Sequence, residues 1–290
     1  MANPEWQEHL SGTYKERRAK ARAKEAQILD FLSIETYSDS KNLALLIGLG
    51  LQSTKITLAK MEAKGWLTSA VISLGGRGVG IKYWGITPQG LFEQAEEESV
   101  ERVIYAKHFQ PSMVNAITMP HKFAMQTVIL QREVAIATGL TLKEIRRSDF
   151  PSRDSIHFEG SWLYYYGKNV DLSTLNRKKL IIPDVIFKAR VNEDVVFAVE
   201  VELTIKTAKR YKAIFAGHYR NIFKTGLYNV VLYVLATKKE RLVFNAMINR
   251  IFAKELDDKF KEMLSKVVLY TSLEEMKDAV SLHIGAQDGA

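Results

Sequence analysis

Three carboxylates stand in stretches of sequence that would otherwise read as apolar strands. Ile181-Ile182-Pro183-Asp184-Val185-Ile186 sets an aspartate among aliphatic residues, and the run from Val195 to Leu203 holds Glu200 and Glu202. Strand side chains alternate with period two, so Glu200 and Glu202 emerge on the same face. Two carboxylates on one water-poor face are each desolvated, and they repel one another. A hard divalent cation removes both costs, and Mg²⁺ or Mn²⁺ takes oxygen ligands of this kind. The competing reading places the second run at a sheet edge, with both glutamates in solvent. Its density of β-branched residues argues instead for a strand covered on both sides.

The residues that follow carry the opposite charge. From Leu203 to Lys239 there is no Asp or Glu, while Lys206, Lys209, Arg210, Lys212, Arg220, Lys224, Lys238 and Lys239 all fall in that stretch. A surface helix ordinarily mixes signs to gain i,i+4 pairs, so a one-signed helix suggests a face that meets phosphates. A merely solvated face is the plain alternative. Carboxylates that hold a cation beside bases that meet phosphate describe metal-assisted phosphodiester cleavage. The metal activates water and polarises the phosphoryl oxygen, and the bases stabilise the charge that develops. Tyr211, Tyr219 and the run Tyr164-Tyr165-Tyr166 are available for covalent attack, but their spacing singles out no nucleophile.

Pro-Asp, a short hairpin and then Glu-x-Glu on the next strand is similar to the layout of the restriction-endonuclease-like, or PD-(D/E)xK, nucleases. The longer string Glu200-Val201-Glu202-Leu203-Thr204-Ile205-Lys206, followed by Lys209-Arg210-Tyr211, resembles the MobC/TraX-type plasmid relaxases and the related replication-relaxation proteins. The resemblance implies Asp184 and Glu200 as metal ligands, with Glu202 as a further ligand or a water-orienting carboxylate. It also implies a helix opened by His121 whose Glu133 completes the metal environment. One departure matters: Glu202 stands where that pattern expects a lysine. Lys206, four residues on and at the first turn of the basic helix, is the candidate for the displaced lysine. Lys209 and Lys212 are rivals that serve equally well as phosphate contacts.

Elements of two kinds must position these groups. In the N-terminal part, a basic, alanine-rich run from Lys15 to Lys24 opens a helix that continues through Ile28, Leu29 and Leu32. Asp39 or Ser40 caps a second helix that ends at Gly48-Leu49-Gly50. A third runs from about Ser53 to Gly65, where a glycine can close a helix. Trp66 to Leu74 and Val79 to Ile86 read as strands around the turn Gly75-Gly76-Arg77-Gly78. Three helices followed by a glycine-tipped hairpin is the order of a winged helix-turn-helix, which sets its third helix in the major groove and its hairpin on the DNA backbone. Thr54, Lys55, Lys60 and Lys64 would then face DNA, and Arg77 and Lys82 would decorate the wing. The same module can dock protein instead, or simply close its own core.

Pro88 opens a helix with an acidic face to about Glu98, and Pro111 and Pro120 bracket a stretch read as linker. A helix from His121 to Thr138 follows. Strands come next at Trp162–Tyr166, Leu180–Ala189 and Val195–Leu203, then the basic helix from Thr204 to Phe223. A strand at Asn229–Ala236, a helix from Glu240 to Leu256, a strand at Val267–Tyr270 and a last helix complete the order. This is an α/β layered domain with a mixed sheet. The expected architecture is thus α+β in two domains: a winged helix at 15–105, a linker at 106–119, a restriction-endonuclease-like domain at 120–282 and a disordered tail at 283–290.

Composition bounds the function. Without a single cysteine, thiol catalysis, disulfides and zinc knuckles are excluded. No apolar run reaches the length of a membrane helix, and the N-terminus lacks a signal-peptide core, which points to a cytoplasmic protein without membrane insertion. A net charge of +8 favours an acidic partner. The leading expectation is a metal-dependent endonuclease that nicks one strand of double-stranded DNA at a plasmid transfer origin, using Mg²⁺ or Mn²⁺ and working with accessory mobilisation proteins. The runner-up is a DNA-binding replication initiator or regulator whose nuclease-like domain does not cut. A plain restriction-type endonuclease is the third reading.

Overall fold

A computed structural model describes residues 13–73, 80–95, 108–130, 158–159, 162–165, 168–171, 181, 183–188, 196–223, 226, 228–255 and 267–273, with single positions among 258–279. The chain divides into two compact units, 1–127 and 128–290.

The first unit opens with α1 (Tyr14–Glu35), started by a capping box in which the Thr13 side chain and Glu16 satisfy each other's backbone N–H groups. A short strand, β1 (Tyr37–Asp39), links it to α2 (Ser40–Ile47), whose N-cap is Asp39. Gly48, at φ 62°, ends α2 in the left-handed region. Then come α3 (Leu51–Ala63), the hairpin of β2 (Leu67–Ile72) and β3 (Ile81–Ile86), and α4 (Pro88–Gln94). Gly65, at φ 76°, makes the turn out of α3. The hairpin is antiparallel, pairing Leu67 with Ile86 and Ile72 with Ile81, and β1 adds antiparallel to β3. Sequence pattern finds the hairpin and its three helices but not β1, because three residues are too few for a period to show. Ile28, Phe31 and Leu32 of α1, Leu43 of α2, Leu58 and Met61 of α3, and Ile86 are fully buried in this unit.

In the stretch expected to be linker, Phe109 and Met119 are buried, while most of the described residues between them are exposed. A 3-10 turn (Pro111–Met113) leads to α5 (Met119–Leu130). Phe109, Met119 and Phe123 form a buried cluster with Tyr83. Gln126 donates from Nε2 to the Tyr37 carbonyl and to Glu35, and its Oε1 accepts the Ser38 hydroxyl at 2.7 Å. Both prolines that suggested a break sit at helix starts, where a missing N–H costs nothing. The helix expected to reach Thr138 is described only to Leu130, and its remainder lies outside the described residues.

The second unit is organised on a four-stranded mixed sheet in the order β10-β9-β8-β7. Here β7 is Val185–Lys188, β8 Val196–Glu202, β9 Val230–Leu235 and β10 Val268–Ser272. β7 pairs antiparallel with β8, while β8–β9 and β9–β10 are parallel. The parallel connections carry α6 (Ala208–Phe223) and α7 (Lys238–Glu255). A separate antiparallel sheet holds β4 (Phe158–Glu159), β5 (Trp162–Tyr165) and β6 (Lys168–Asp171). Tyr211 and Phe215 of α6, Tyr233 of β9 and Phe244 of α7 make the aromatic centre of the core, with Tyr211 and Phe244 in edge contact at 4.9 Å.

Candidate functional site

β8 lies between β7 and β9, so it is an interior strand, and the reading that put its glutamates on a sheet edge is set aside. Its residues Val196 and Ala198 belong to the core that Tyr211 and Phe215 of α6 help to form. By the period of two, Glu200 and Glu202 project from that same face. The sequence folds this way because α6 is two-sided. Tyr211, Phe215 and His218, spaced i, i+4 and i+7, are buried, while Lys209 and Arg210 are exposed.

Asp184 is buried immediately before β7. Its N–H donates to the Val199 carbonyl at 3.0 Å, and its Oδ2 accepts the Val201 N–H at 2.9 Å. The carboxylate is therefore held against the backbone of the one residue that separates Glu200 from Glu202. Pro183 makes this arrangement natural, since it has no N–H with which to continue the ladder.

Each glutamate has its own surroundings. Glu202, 4% exposed, is ion-paired with Lys206, the residue four positions on. α6 begins at Ala208 rather than Thr204, so Lys206 reaches Glu202 from the connecting segment and not from a helical turn. The Tyr211 hydroxyl accepts the Lys206 N–H at 3.1 Å. Burial, reinforced by the neighbouring Glu202 carboxylate, pushes the Tyr211 phenol up to about 12. It stays protonated and takes no part as a base at neutral pH.

Glu200 meets a residue that composition gave no reason to select. The Nε2 of His218, a fully buried side chain, is 3.6 Å from Glu200 Oε1. His218 also contacts the hydroxyls of Tyr228 through Nδ1 at 2.6 Å and Tyr233 through Nε2 at 3.1 Å. The Asn221 amide donates to Tyr228 Oη at 3.0 Å and to the Ile181 carbonyl at 2.7 Å. Each ring nitrogen thus has a tyrosine hydroxyl as its partner, and the tautomer sets which of the two donates. Burial pushes the His218 pKa down to about 3, so the ring is neutral and donates a hydrogen bond without adding charge.

The structure brings Asp184, Glu200, Glu202 and Lys206, which the sequence singled out, near His218, Tyr228, Tyr233 and Asn221, which it did not. The i, i+4, i+7 face of α6 was the available signal. Among the described residues, no three His, Cys, Asp or Glu side chains are grouped so as to hold a metal ion. Glu133 lies outside the described residues, and His121 lies on α5.

The residues expected to meet DNA are distributed unevenly. Lys55 and Lys60 are exposed on α3, as Lys209 and Arg210 are on α6; Lys212 is half-buried. Lys64 is engaged within the unit, 2.7 Å from Glu25 and over the Trp66 ring at 4.0 Å. Lys82 is exposed and lies over the Trp84 ring at 4.2 Å. Thr54 is corrected: it is fully buried, its hydroxyl donating to the Gly50 carbonyl at 3.1 Å. Arg77 lies outside the described residues. Among the described residues, no helix is long and apolar enough to cross a membrane.

Comparison with known proteins finds no matching family model, no matching curated protein and no matching solved structure.

Proposed function

We propose that the protein is a DNA-binding, metal-dependent nickase, with a winged-helix reader in its first unit and a restriction-endonuclease-like centre in its second. One observation carries the reading. Asp184 is anchored between the two β8 glutamates, with the Lys206 ammonium delivered to Glu202. The lysine that the nuclease pattern lacks at its usual strand position thereby reaches the carboxylates by another route.

Asp184 and Glu200 would hold the cation. Carboxylate oxygens suit Mg²⁺ or Mn²⁺, and Mg²⁺ commonly binds through only one or two carboxylates, filling its shell with water and substrate phosphate. A bound cation would activate water and polarise the phosphoryl oxygen. His218 lies 3.6 Å from Glu200 and, as a neutral ring, adds no charge beside that carboxylate. Lys206 neutralises Glu202 and presents positive charge to an incoming phosphate. Lys55, Lys60 and Lys82 would supply contacts to DNA from the first unit. Recognition of a transfer origin and accessory mobilisation proteins belong to the same proposal.

Supercoiled plasmid incubated with Mg²⁺ or Mn²⁺ tests it. The parent should convert plasmid to nicked circles. Asp184→Ala and Glu200→Ala should each lose more than about 100-fold, since even groups outside a ligand set commonly contribute 10- to 100-fold. Equal nicking by parent and both variants sinks the assignment.

A second reading, a DNA-binding initiator or regulator that does not cut, is favoured by Glu202 being neutralised within the protein and by the lack of a three-ligand group among the described residues. It predicts duplex binding with no metal-dependent nicking by the parent.

A further inference from the structure

Along the N-terminal half of α1, residues 13–23 are all exposed, and the first fully enclosed residue is Ile28. At 1.5 Å per residue the exposed part of the helix is about 15 Å long. It carries Lys15, Arg17, Arg18, Lys20 and Arg22, with Lys24 next in line. The two nearest glutamates are engaged, Glu16 in the capping box and Glu25 with Lys64.

The arrangement of these cations is specific. At 3.6 residues per turn, Lys15, Arg18 and Arg22 form one row (i, i+3, i+7), and Arg17, Lys20 and Lys24 form another. The rows lie about half a turn apart. Between them, on one side, are Ala19 and Ala23, with Glu16 of the capping box at the N-terminal end of that face. A helix that merely needed solubility would intersperse acids for i,i+4 pairs, whereas like charges at these spacings destabilise it. The strain is visible at Lys24, whose pKa is lowered by partial burial and by Lys20 beside it. A helix with cations on opposite flanks and small residues between fits a groove with an anionic wall on each side. The major groove of B-DNA, about 12 Å wide, admits a helix and is bordered by phosphates on both strands. The A-form groove of duplex RNA is too narrow for one.

We propose that this arm seats in the major groove of duplex DNA, its two rows on opposite phosphate walls. The inference rests on the DNA-directed part of the proposed function and is independent of cutting. The test is fluorescence anisotropy with a labelled duplex over a range of salt, in EDTA, so that cleavage plays no part. Two full-length triple variants are compared with the parent: Lys15→Gln/Arg18→Gln/Arg22→Gln and Arg17→Gln/Lys20→Gln/Lys24→Gln. Glutamine keeps helix propensity, and relieving the like-charge repulsion should leave the thermal midpoint no lower than the parent's.

Each phosphate contact contributes about 0.9 to the slope of log K against log salt, so each variant should lower the slope by about 2 to 3. Each should also bind at least about tenfold more weakly near 0.1 M salt, and the two losses should combine when all six are replaced. Unchanged slopes, an effect confined to one row, equal affinity for single-stranded DNA or duplex RNA, or no duplex binding by the parent would each overturn it. A parent that binds with these losses but never nicks keeps the arm and loses the nuclease reading. A parent that nicks while both variants keep its slope does the reverse.

Discussion

A single ion pair carries much of the weight at the site. Glu202 is almost wholly buried, and Lys206 is the cation that makes its charge tolerable there. Removing one member of a buried pair leaves an uncompensated charge, which costs about 3–5 kcal/mol when both groups are fully enclosed. Lys206 is 28% exposed, so solvent screens part of that and about 1–3 kcal/mol is expected for Lys206→Met. Glu202→Gln made in the same protein should recover most of the loss. Urea midpoints of the two single variants and the double variant measure the coupling, and additive effects would show that the pair does not neutralise a buried carboxylate. Lys206 was legible because its spacing lets it return to Glu202, although the route is a bend in the connecting segment and not a helix. His218 was not legible: embedded in a stretch of one-signed charge, it reads as one more basic residue until the helix is turned to show its Tyr211–Phe215–His218 face.

At the scale of elements, the site depends on how closely α6 approaches the segment leading into β7. Gly217 is the point of approach, for a Cβ added there would lie 2.1 Å from Ile181 Cγ1. Asn221, one turn along, donates to the Ile181 carbonyl. Two effects of Gly217→Ala oppose one another. Alanine favours a helix interior by about 1 kcal/mol. Overpacking against a branched carbon close to the backbone typically costs about 1–3 kcal/mol. The contact should win, because Ile181 is also held through its carbonyl, so Gly217→Ala is expected to lower the thermal midpoint. A raised midpoint would show that α6 and the Ile181 segment separate freely. Element types along β8, α6, β9 and α7 could be read from the sequence, since long runs declare their period. Close approach could not, because a glycine in a helix pattern records a missing side chain without naming the neighbour that requires it.

For the whole molecule, the division of the chain decides what each part can do alone. A boundary at 105 follows from the prolines, but Phe109, Met119 and Phe123 complete the core around Tyr83, and Gln126 satisfies Ser38 and the Tyr37 carbonyl. Gly85 marks how tightly that segment is applied, for a Cβ there would lie 2.0 Å from Phe109 Cγ. Cutting at 105 would expose Tyr83 and leave the Ser38 hydroxyl and the Tyr37 carbonyl without these partners. Losing the cover over a large buried side chain costs about 1.5–3 kcal/mol, a sizeable share of the roughly 5–15 kcal/mol that holds a domain together. Residues 13–130 should therefore melt in one cooperative transition and bind duplex DNA with a salt slope close to that of the full chain. Residues 13–105 should melt at much lower temperature or without a transition. Scanning calorimetry of the two fragments checks the expectation, and equal melting would show that residues 108–130 add nothing to the fold of this unit. If the longer fragment folds but does not bind duplex, the second unit supplies the DNA contacts, and the exposed Lys209 and Arg210 of α6 become the residues to replace next.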